Sequence, residues 1–496
     1  MIRDLVIGID VGTTACKVLA VRGDGYVEAS AASEYPLHQT PAGWAEQDSH
    51  EVWSGMRTAL GSLLANVSAQ RIEGISFSGA MHGVMPVDVA GQPLGRAITW
   101  ADNRAVAAAD ELREAEGDGG QKAYERTGCP LRWLYLPAKL RWMKEHQRVV
   151  FAQAARFVAI KDWLVFRFTG KWTTDIGLAS GSGLLDLRTH QWSEEALRMA
   201  GIDAGRLCRL ALPQEVVGMI TRAAAKETGL PEGLPVMPGG GDGGMANIGA
   251  GGAKVGSVVV TVGTSGAVRV TTGEPLLDAG QRTWCYALTN DRWYAGGAIN
   301  NGGLAVETIR RMFYGELEKD EGFSRLFDDA QAVSAGSDGV LLLPYFGGER
   351  NPHWRPDLHA AMHGLTSAHS REHIARAVLE GVAFCLADVW AALRETGRLT
   401  PKVIRLTGGI TKSRLWSQIV CDVLGLPVVV RESGDASAMG AAAIGHWGLG
   451  HVATVEAFAI PDDQTITLTP DAKNHAIYAE KHAEFQQHGR QMMDRT

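Results

Sequence analysis

The chain lacks most of the features that would tie it to a membrane, to nucleic acid or to an oxidising compartment. It has no run of about 18 apolar residues, so no membrane span is expected. Its N-terminus enters a strand directly, so no signal peptide is expected. Its six cysteines (Cys16, Cys129, Cys208, Cys285, Cys385 and Cys421) include no pair at Cys-x-x-Cys spacing. Most stand inside apolar runs, which reads as buried, reduced thiols of a cytoplasmic protein. Charged residues make up 21% of the chain and the net charge is −7, with no long run of one sign. That balance argues against nucleic acid or an anionic membrane as the main partner. No Gly-Lys-Ser/Thr occurs, which removes the P-loop reading.

What is present is a repeated phrase. Residues 7–14 read Ile-Gly-Ile-Asp-Val-Gly-Thr-Thr and lead into the apolar run 16–21; residues 258–265 read Val-Val-Val-Thr-Val-Gly-Thr-Ser and lead into the apolar run 266–270. Each copy is a strand, a Gly-Thr-Thr/Ser turn and a second strand. A glycine there lets the backbone approach a ligand, and adjacent hydroxyls and N–H groups suit phosphate. Two such turns imply two related lobes gripping one polyphosphate. At 496 residues the chain is long for a single core, in keeping with two domains. Sixty glycines cluster at 239–244, 249–256 and 296–303, as ligand-approaching turns do.

Strands are predicted over 4–10, 16–22 and 26–32, with Gly23-Asp24-Gly25 as a hairpin turn. The first Gly-Thr turn therefore joins strand to strand, which also argues against a dinucleotide-binding oxidoreductase. Apolar spacing predicts helices over 50–67, 105–116, 137–147, 161–168, 299–313 and 370–395. Ile72–Ser78 is a strand, Asp88–Gly91 a hairpin turn, and 234–238 a strand running into Gly239-Gly240-Gly241-Asp242-Gly243-Gly244. Val403–Leu406 is a strand followed by a helix over 412–424 that Pro427 stops. Then come a strand at 428–431 and a small-residue helix over 436–449. The class is α/β. The lobe boundary falls near 244–256, dividing the chain into 1–246 and 247–496.

Three positions carry candidate chemistry. Asp10 ends an apolar strand, where a carboxylate needs a cleft, a cation or donors; it suits Mg²⁺ held through water at phosphates, or a cap on its own turn. Asp242 is the one side chain in a backbone stripped of bulk on both sides. It can take a hydroxyl proton as that hydroxyl attacks a phosphoryl group, or be incidental to a flexible loop. His82, in Met81-His82-Gly83, can bond a sugar hydroxyl or serve as an ordinary structural histidine. Thr407-Gly408-Gly409 can lie flat against a base. Asp102 and Arg104 read as a surface or interlobe pair, and the 14 tryptophans mainly as core.

Together these phrases resemble the FGGY family of carbohydrate kinases. One family signature is well kept as Ala360-Ala361-Met362-His363-Gly364-Leu365 followed by His373–Glu380. Another is partly kept around Lys139-Leu140-Arg141-Trp142, with Leu134 and Leu136 departing from it. The resemblance implies two ribonuclease-H-like lobes of the actin/hexokinase type with ATP in the cleft between them. It implies that 1–246 binds the sugar and carries the first phosphate turn, and that 247–496 binds the nucleotide. Asp242 matches the catalytic base, and Asp10 the acid that helps it by holding Mg²⁺, with Asp242 the second carboxylate near the metal. Gly12, Thr13, Thr14 and Lys17 match the first ATP-binding turn. Gly263, Thr264 and Ser265 match the second, and Gly303, Gly408, Gly409 and Ser413 line the nucleotide. Met81, His82 and Asp242 match the substrate contacts.

Within the family the phrases 98–104, 285–289, 300–303 and 348–350 are most like gluconate kinases, while Met81-His82-Gly83 is what xylulose kinases carry. The expected activity is ATP- and Mg²⁺-dependent phosphorylation of a terminal hydroxyl. D-gluconate is the first candidate and D-xylulose the competitor. The rival class is an actin- or Hsp70-like ATPase that needs no sugar. Partners are a small sugar or sugar acid, with no nucleic acid, no membrane, and a homodimer as the assembly left open. A gluconate carboxylate would need a cation or N–H donors, with Arg104, Arg132 and Lys161 as candidates.

Overall fold

The computed structural model describes residues 3–40, 43–397, 399–431, 435–461 and 465–494. Its first half is built on a six-stranded sheet. The strands are β1 (Leu5–Val11), β2 (Ala15–Arg22), β3 (Val27–Glu34), β4 (Ile72–Gly79), β5 (Gly218–Met219) and β6 (Pro235–Gly241), in the order β5-β6-β4-β1-β2-β3. β1, β2 and β3 form an antiparallel meander, and β4 and β6 add in parallel on the other side of β1. Every residue of β1 is buried, so this strand reads as one unbroken apolar run, as a strand covered on both faces must.

The second half repeats the plan. Its sheet comprises β7 (Val258–Val262), β8 (Gly266–Thr272), β9 (Trp284–Thr289), β10 (Arg292–Ile299), β11 (Ile404–Thr407), β12 (Val428–Arg431) and β13 (Thr465–Leu468), in the order β9-β10-β8-β7-β11-β12-β13. Again a meander (β7, β8, β10) is extended by parallel strands, here β11 and β12. The twin phrases in the sequence are thus the β1–β2 and β7–β8 corners of two equivalent sheets.

Helices cover these sheets at equivalent places. α1 (Ser49–Leu64) connects β3 to β4; Asp48 caps it by accepting from the His50 and Glu51 amides, and it buries Val52, Trp53, Met56, Leu60 and Leu63. Full burial of one such aliphatic side chain stabilises by about 1.5–3 kcal/mol. α2 (Asp242–Gly249) follows β6, and α3 (Gly303–Phe313) follows β10. α4 (Arg371–Thr396) connects to β11, α5 (Arg414–Leu424) to β12, and α6 (Ala436–Gly448) follows β12. α6 belongs to the second half of the chain yet packs on β1, β4 and α2 of the first. Its small residues permit this. A Cβ on Gly440 would lie 1.9 Å from the Met245 carbonyl oxygen, one on Gly249 would lie 1.9 Å from that of Ala436, and one on Gly8 would lie 1.9 Å from that of Ala438. Backbone meets backbone here, and no side chain fits between.

Several local expectations shift. The helix predicted from 299 begins at Gly303, because residues up to Ile299 pair with β8. Gly425 in the left-handed conformation ends α5 two residues before Pro427. Asp88–Gly91 turns back as a hairpin, with Val87 bridged to Pro93 and the Asp88 amide donating to the Gln92 carbonyl at 2.9 Å, and Met85–Val87 pairs on its other side with Arg156–Val158. All six cysteines are free and buried. Among the described residues no helix is long and apolar enough to cross a membrane.

Candidate active site

The two Gly-Thr corners face one cleft of about 720 Å³. In the first, the Gly12 carbonyl accepts from Tyr35 Oη at 2.7 Å, and the Thr13 carbonyl from Gln47 Nε2 at 2.8 Å. Thr13 Oγ1 accepts from Trp100 Nε1 at 2.9 Å. In the second, the Gly263 amide donates to the Ser265 carbonyl at 2.8 Å, and the start of α3 closes on the turn: the Gly303 amide donates to the Gly263 carbonyl at 2.7 Å and the Leu304 amide to that of Thr264 at 3.0 Å. Gly408, with φ +93°, lies so close to the end of β7 that a Cβ would come 2.5 Å from the Val262 carbonyl oxygen. The Gly408-Gly409 turn therefore presses flat against the second corner, a position closed to a side chain.

Asp242 opens α2 at the end of β6. The glycines before it answer a packing demand: a Cβ on Gly239 (φ +65°) would stand 1.6 Å from the Phe77 carbonyl oxygen, and one on Gly241 would stand 2.8 Å from Met81 Cγ. β6 can thus run tight along β4 and deliver one carboxylate into the cleft. Asp242 Oδ1 accepts from the Gly243 amide at 2.7 Å. Burial raises its pKa, opposed by the Arg269 and Arg350 guanidiniums. Asp10 ends β1 and accepts from Ser78 Oγ at 2.6 Å. Burial, then the Asp435 carboxylate, push its pKa well above the usual range, and Asp242 adds to the push. A buried carboxylate whose pKa is pushed up by two neighbouring carboxylates makes a site that an oxygen-loving cation would relieve.

His82, at φ +63°, donates from Nδ1 to the Gly181 carbonyl at 2.7 Å. Nε2 is left as the acceptor. Burial lowers its pKa to about 3, so the ring is neutral at ordinary pH. Behind it, Lys139 Nζ donates to the His82 carbonyl at 2.6 Å and the Thr99 carbonyl at 2.7 Å. Burial brings this lysine down to about 7. One buried ammonium thus ties together the two loops that carry His82 and Trp100.

The cleft wall brings together Thr13, Thr14, Met81, His82 and Asp242 from the first half with Gly263, Thr264 and Ser265 from the second. Asp10, Gly12, Gly303, Gly408 and Gly409 are not part of the wall, and Gly303 and Gly408 pack against the second turn and the strand that leads into it. Lys17 and Ser413 stand outside that wall: Lys17 Nζ pairs with Asp435 Oδ2 at 2.6 Å, within electrostatic reach of Asp10, and Ser413 Oγ caps α5 by accepting from the Trp416 amide at 3.3 Å.

Two of the cations considered for a substrate carboxylate are already spent. Arg104 is buried, paired to Asp102 and Glu46 at 2.7 Å each, and lies against Trp44 and Trp142. Asp102 and Arg104 are therefore an internal pair, not a surface one. Lys161 is buried between Asp162 and Asp175 at 3.1 and 2.9 Å. Arg132 lies over Trp354, outside the cleft wall.

Both halves match known domains. The N-terminal domain of the FGGY family of carbohydrate kinases matches residues 5–249, and its C-terminal domain residues 258–449. The chain belongs to the FGGY family of carbohydrate kinases. It is 34% identical over 471 residues to a gluconokinase of Bacillus subtilis, covering 94% of this chain and 91% of that one. It is 33% identical over 454 residues to a xylulose kinase of the same organism, covering 91% and 89%. A solved gluconate kinase from Lactobacillus acidophilus superposes with a TM-score of 0.89 at 30% identity, covering 97% of each chain. The protein is an ATP-dependent sugar kinase, with the two ribonuclease-H-like lobes that this family shares.

Four residues of this FGGY cleft escaped sequence reasoning: Lys139 as a staple, Trp100 as a donor to Thr13, and the arginines Arg269 and Arg350. Arg269 left a signal, a lone charge between Val268 and Val270 in an apolar strand. Arg350 lay within a phrase noted for its likeness, without a role.

Proposed function

We propose that this kinase transfers the γ-phosphoryl group of ATP to the terminal hydroxyl of D-gluconate, giving 6-phosphogluconate. The observation that carries the reading is Asp242, a half-buried carboxylate sharing one cleft with His82 on the first-lobe side and the Gly263–Ser265 turn on the second. The sugar lies near Met81 and His82, with His82 Nε2 accepting from a hydroxyl. The nucleotide phosphates lie at Gly12–Thr14 and Gly263–Ser265, with Lys17 at the edge. Gly303, Gly408, Gly409 and Ser413 line the remainder of the nucleotide. Asp242 takes the proton of the attacking hydroxyl, and its raised pKa makes it the better base. The transition state of such transfers is loose, so positioning and charge compensation supply most of the rate. Mg²⁺ fits Asp10 and Asp242 as oxygen donors. Asp10 and Asp242 would hold the ion, and it would supply screening of phosphate charge. Residues 1–246 form the sugar-binding unit and 247–496 the nucleotide-binding unit, working in the cytoplasm.

Gluconate is favoured over a neutral ketose by two cleft guanidiniums, Arg269 and Arg350, neither in an ion pair with a carboxylate among the described residues. Met81-His82-Gly83 favours the second reading, D-xylulose phosphorylated to the 5-phosphate. The test is ADP release with gluconate, D-xylulose, glycerol and L-ribulose at equal concentration. Gluconate should give the highest kcat/KM. Preference for D-xylulose selects the second reading, and sugar-independent turnover defeats both.

A further inference from the structure

Arg269 sits on β8, where the sheet register sets it opposite Gly296, and its side chain reaches the cleft wall. It is half-buried, and burial lowers its pKa. Its Nη1 donates to Thr261 Oγ1 at 3.0 Å, while its buried Nε has no partner among the described residues. A Cβ on Gly243 would stand 3.3 Å from that Nε. The guanidinium therefore lies against the backbone next to Asp242, and glycine there leaves it room. The Tyr294 and Tyr286 phenols beside it are neutral, so the one carboxylate that stabilises its charge is Asp242. Arg350 differs, because the adjoining Glu349 carboxylate is its leading compensation. Arg269 is thus the less compensated of the two cleft cations, and an unpaired buried charge is costly. Asp242 cannot serve as its permanent counter-ion, because it must be free to take a proton.

We infer that Arg269 is a specificity-determining residue that binds the carboxylate of a sugar-acid substrate through its unpartnered guanidinium edge. The inference rests on the gluconate reading given above. A planar fork with two free N–H groups matches a carboxylate geometrically, whereas a hydroxymethyl group at the same place leaves the guanidinium buried and unsatisfied. The site therefore prefers the acid to a neutral sugar of similar length.

The experiment measures kcat/KM for D-gluconate and for the neutral acceptors D-xylulose and D-glucitol, in wild type, Arg269→Gln and Arg269→Lys. Thermal melting with and without Mg-ADP verifies that each variant is folded and binds nucleotide. In Arg269→Gln the gluconate-to-neutral selectivity should fall by about 10²-fold, the scale of a lost charged hydrogen bond. Arg269→Lys should recover part of it, and gluconate should cease to raise the melting temperature of Arg269→Gln. A proportional loss with all three acceptors would overturn the inference and put Arg269 at the transferred phosphoryl group instead. A wild type that prefers D-xylulose would defeat the gluconate reading itself, before any variant is measured.

Discussion

Gly239→Ala tests whether the glycine run before Asp242 exists for packing or for looseness. The native φ of +65° costs a non-glycine residue about 1–2 kcal/mol. The larger effect is steric. The new Cβ would lie 1.6 Å from the Phe77 carbonyl oxygen, and relieving that contact demands about 1.5 Å of movement between β6 and β4. Asp242 lies three residues on, so its carboxylate shifts by a large part of that distance. A misplacement of about 1 Å costs on the order of 10²-fold in rate. Gly233→Ala is the control: its φ is also positive, at +81°, but nothing lies within 4 Å of the new atom. It should carry the conformational cost alone and keep kcat. Steady-state kinetics and thermal melting of both variants decide the matter. If Gly239→Ala retains wild-type kcat and melts like Gly233→Ala, the tight β4–β6 approach is not what aims Asp242.

Asp242→Asn should keep the fold and nucleotide binding while kcat falls by about 10²–10⁴-fold, the scale of a lost general base; near-normal turnover would remove Asp242 from that role. Lys139→Met leaves the His82 and Thr99 carbonyls unpaired, at about 1–3 kcal/mol each; sugar KM should rise about tenfold with ATP KM unchanged, and an equal rise in both would contradict the staple. His82 has a folded pKa of about 3 against 6.5 ordinarily, so its contribution to stability is complete above pH 6.5 and lost as pH falls toward 3. The stability difference between wild type and His82→Asn should therefore shrink by about 1.4 kcal/mol per pH unit in that window, read from denaturant unfolding at several pH values; a flat difference means the ring protonates freely. Gly440→Ala puts a Cβ 1.9 Å from the Met245 carbonyl oxygen and should destabilise by about 1–3 kcal/mol, seen as a lower melting temperature than that of Gly450→Ala, where nothing lies within 4 Å.

The strands flanking both Gly-Thr corners, the helices over 49–64 and 371–396, and the prominence of Asp242 were all legible from local pattern. Each depends on residues near one another in the chain: an apolar run, a helical spacing, glycines on both sides of an acid. The errors have a common source as well. Arg104 and Lys161 looked available for a ligand because their partners Glu46 and Asp175 are distant in sequence.

The linear order of residues determined that the chain holds two copies of one phosphate-gripping corner and a single acid freed of neighbouring side chains, because turn chemistry and backbone sterics are short-range. Tertiary structure alone decided which charges remain unspent. Arg269 and Arg350 reach the cleft with no ion-paired carboxylate among the described residues, Lys139 joins two loops, and α6 crosses back to the first sheet. The free energy of a buried charge or a backbone contact depends on what packs against it, and here those neighbours come from segments far apart in the chain.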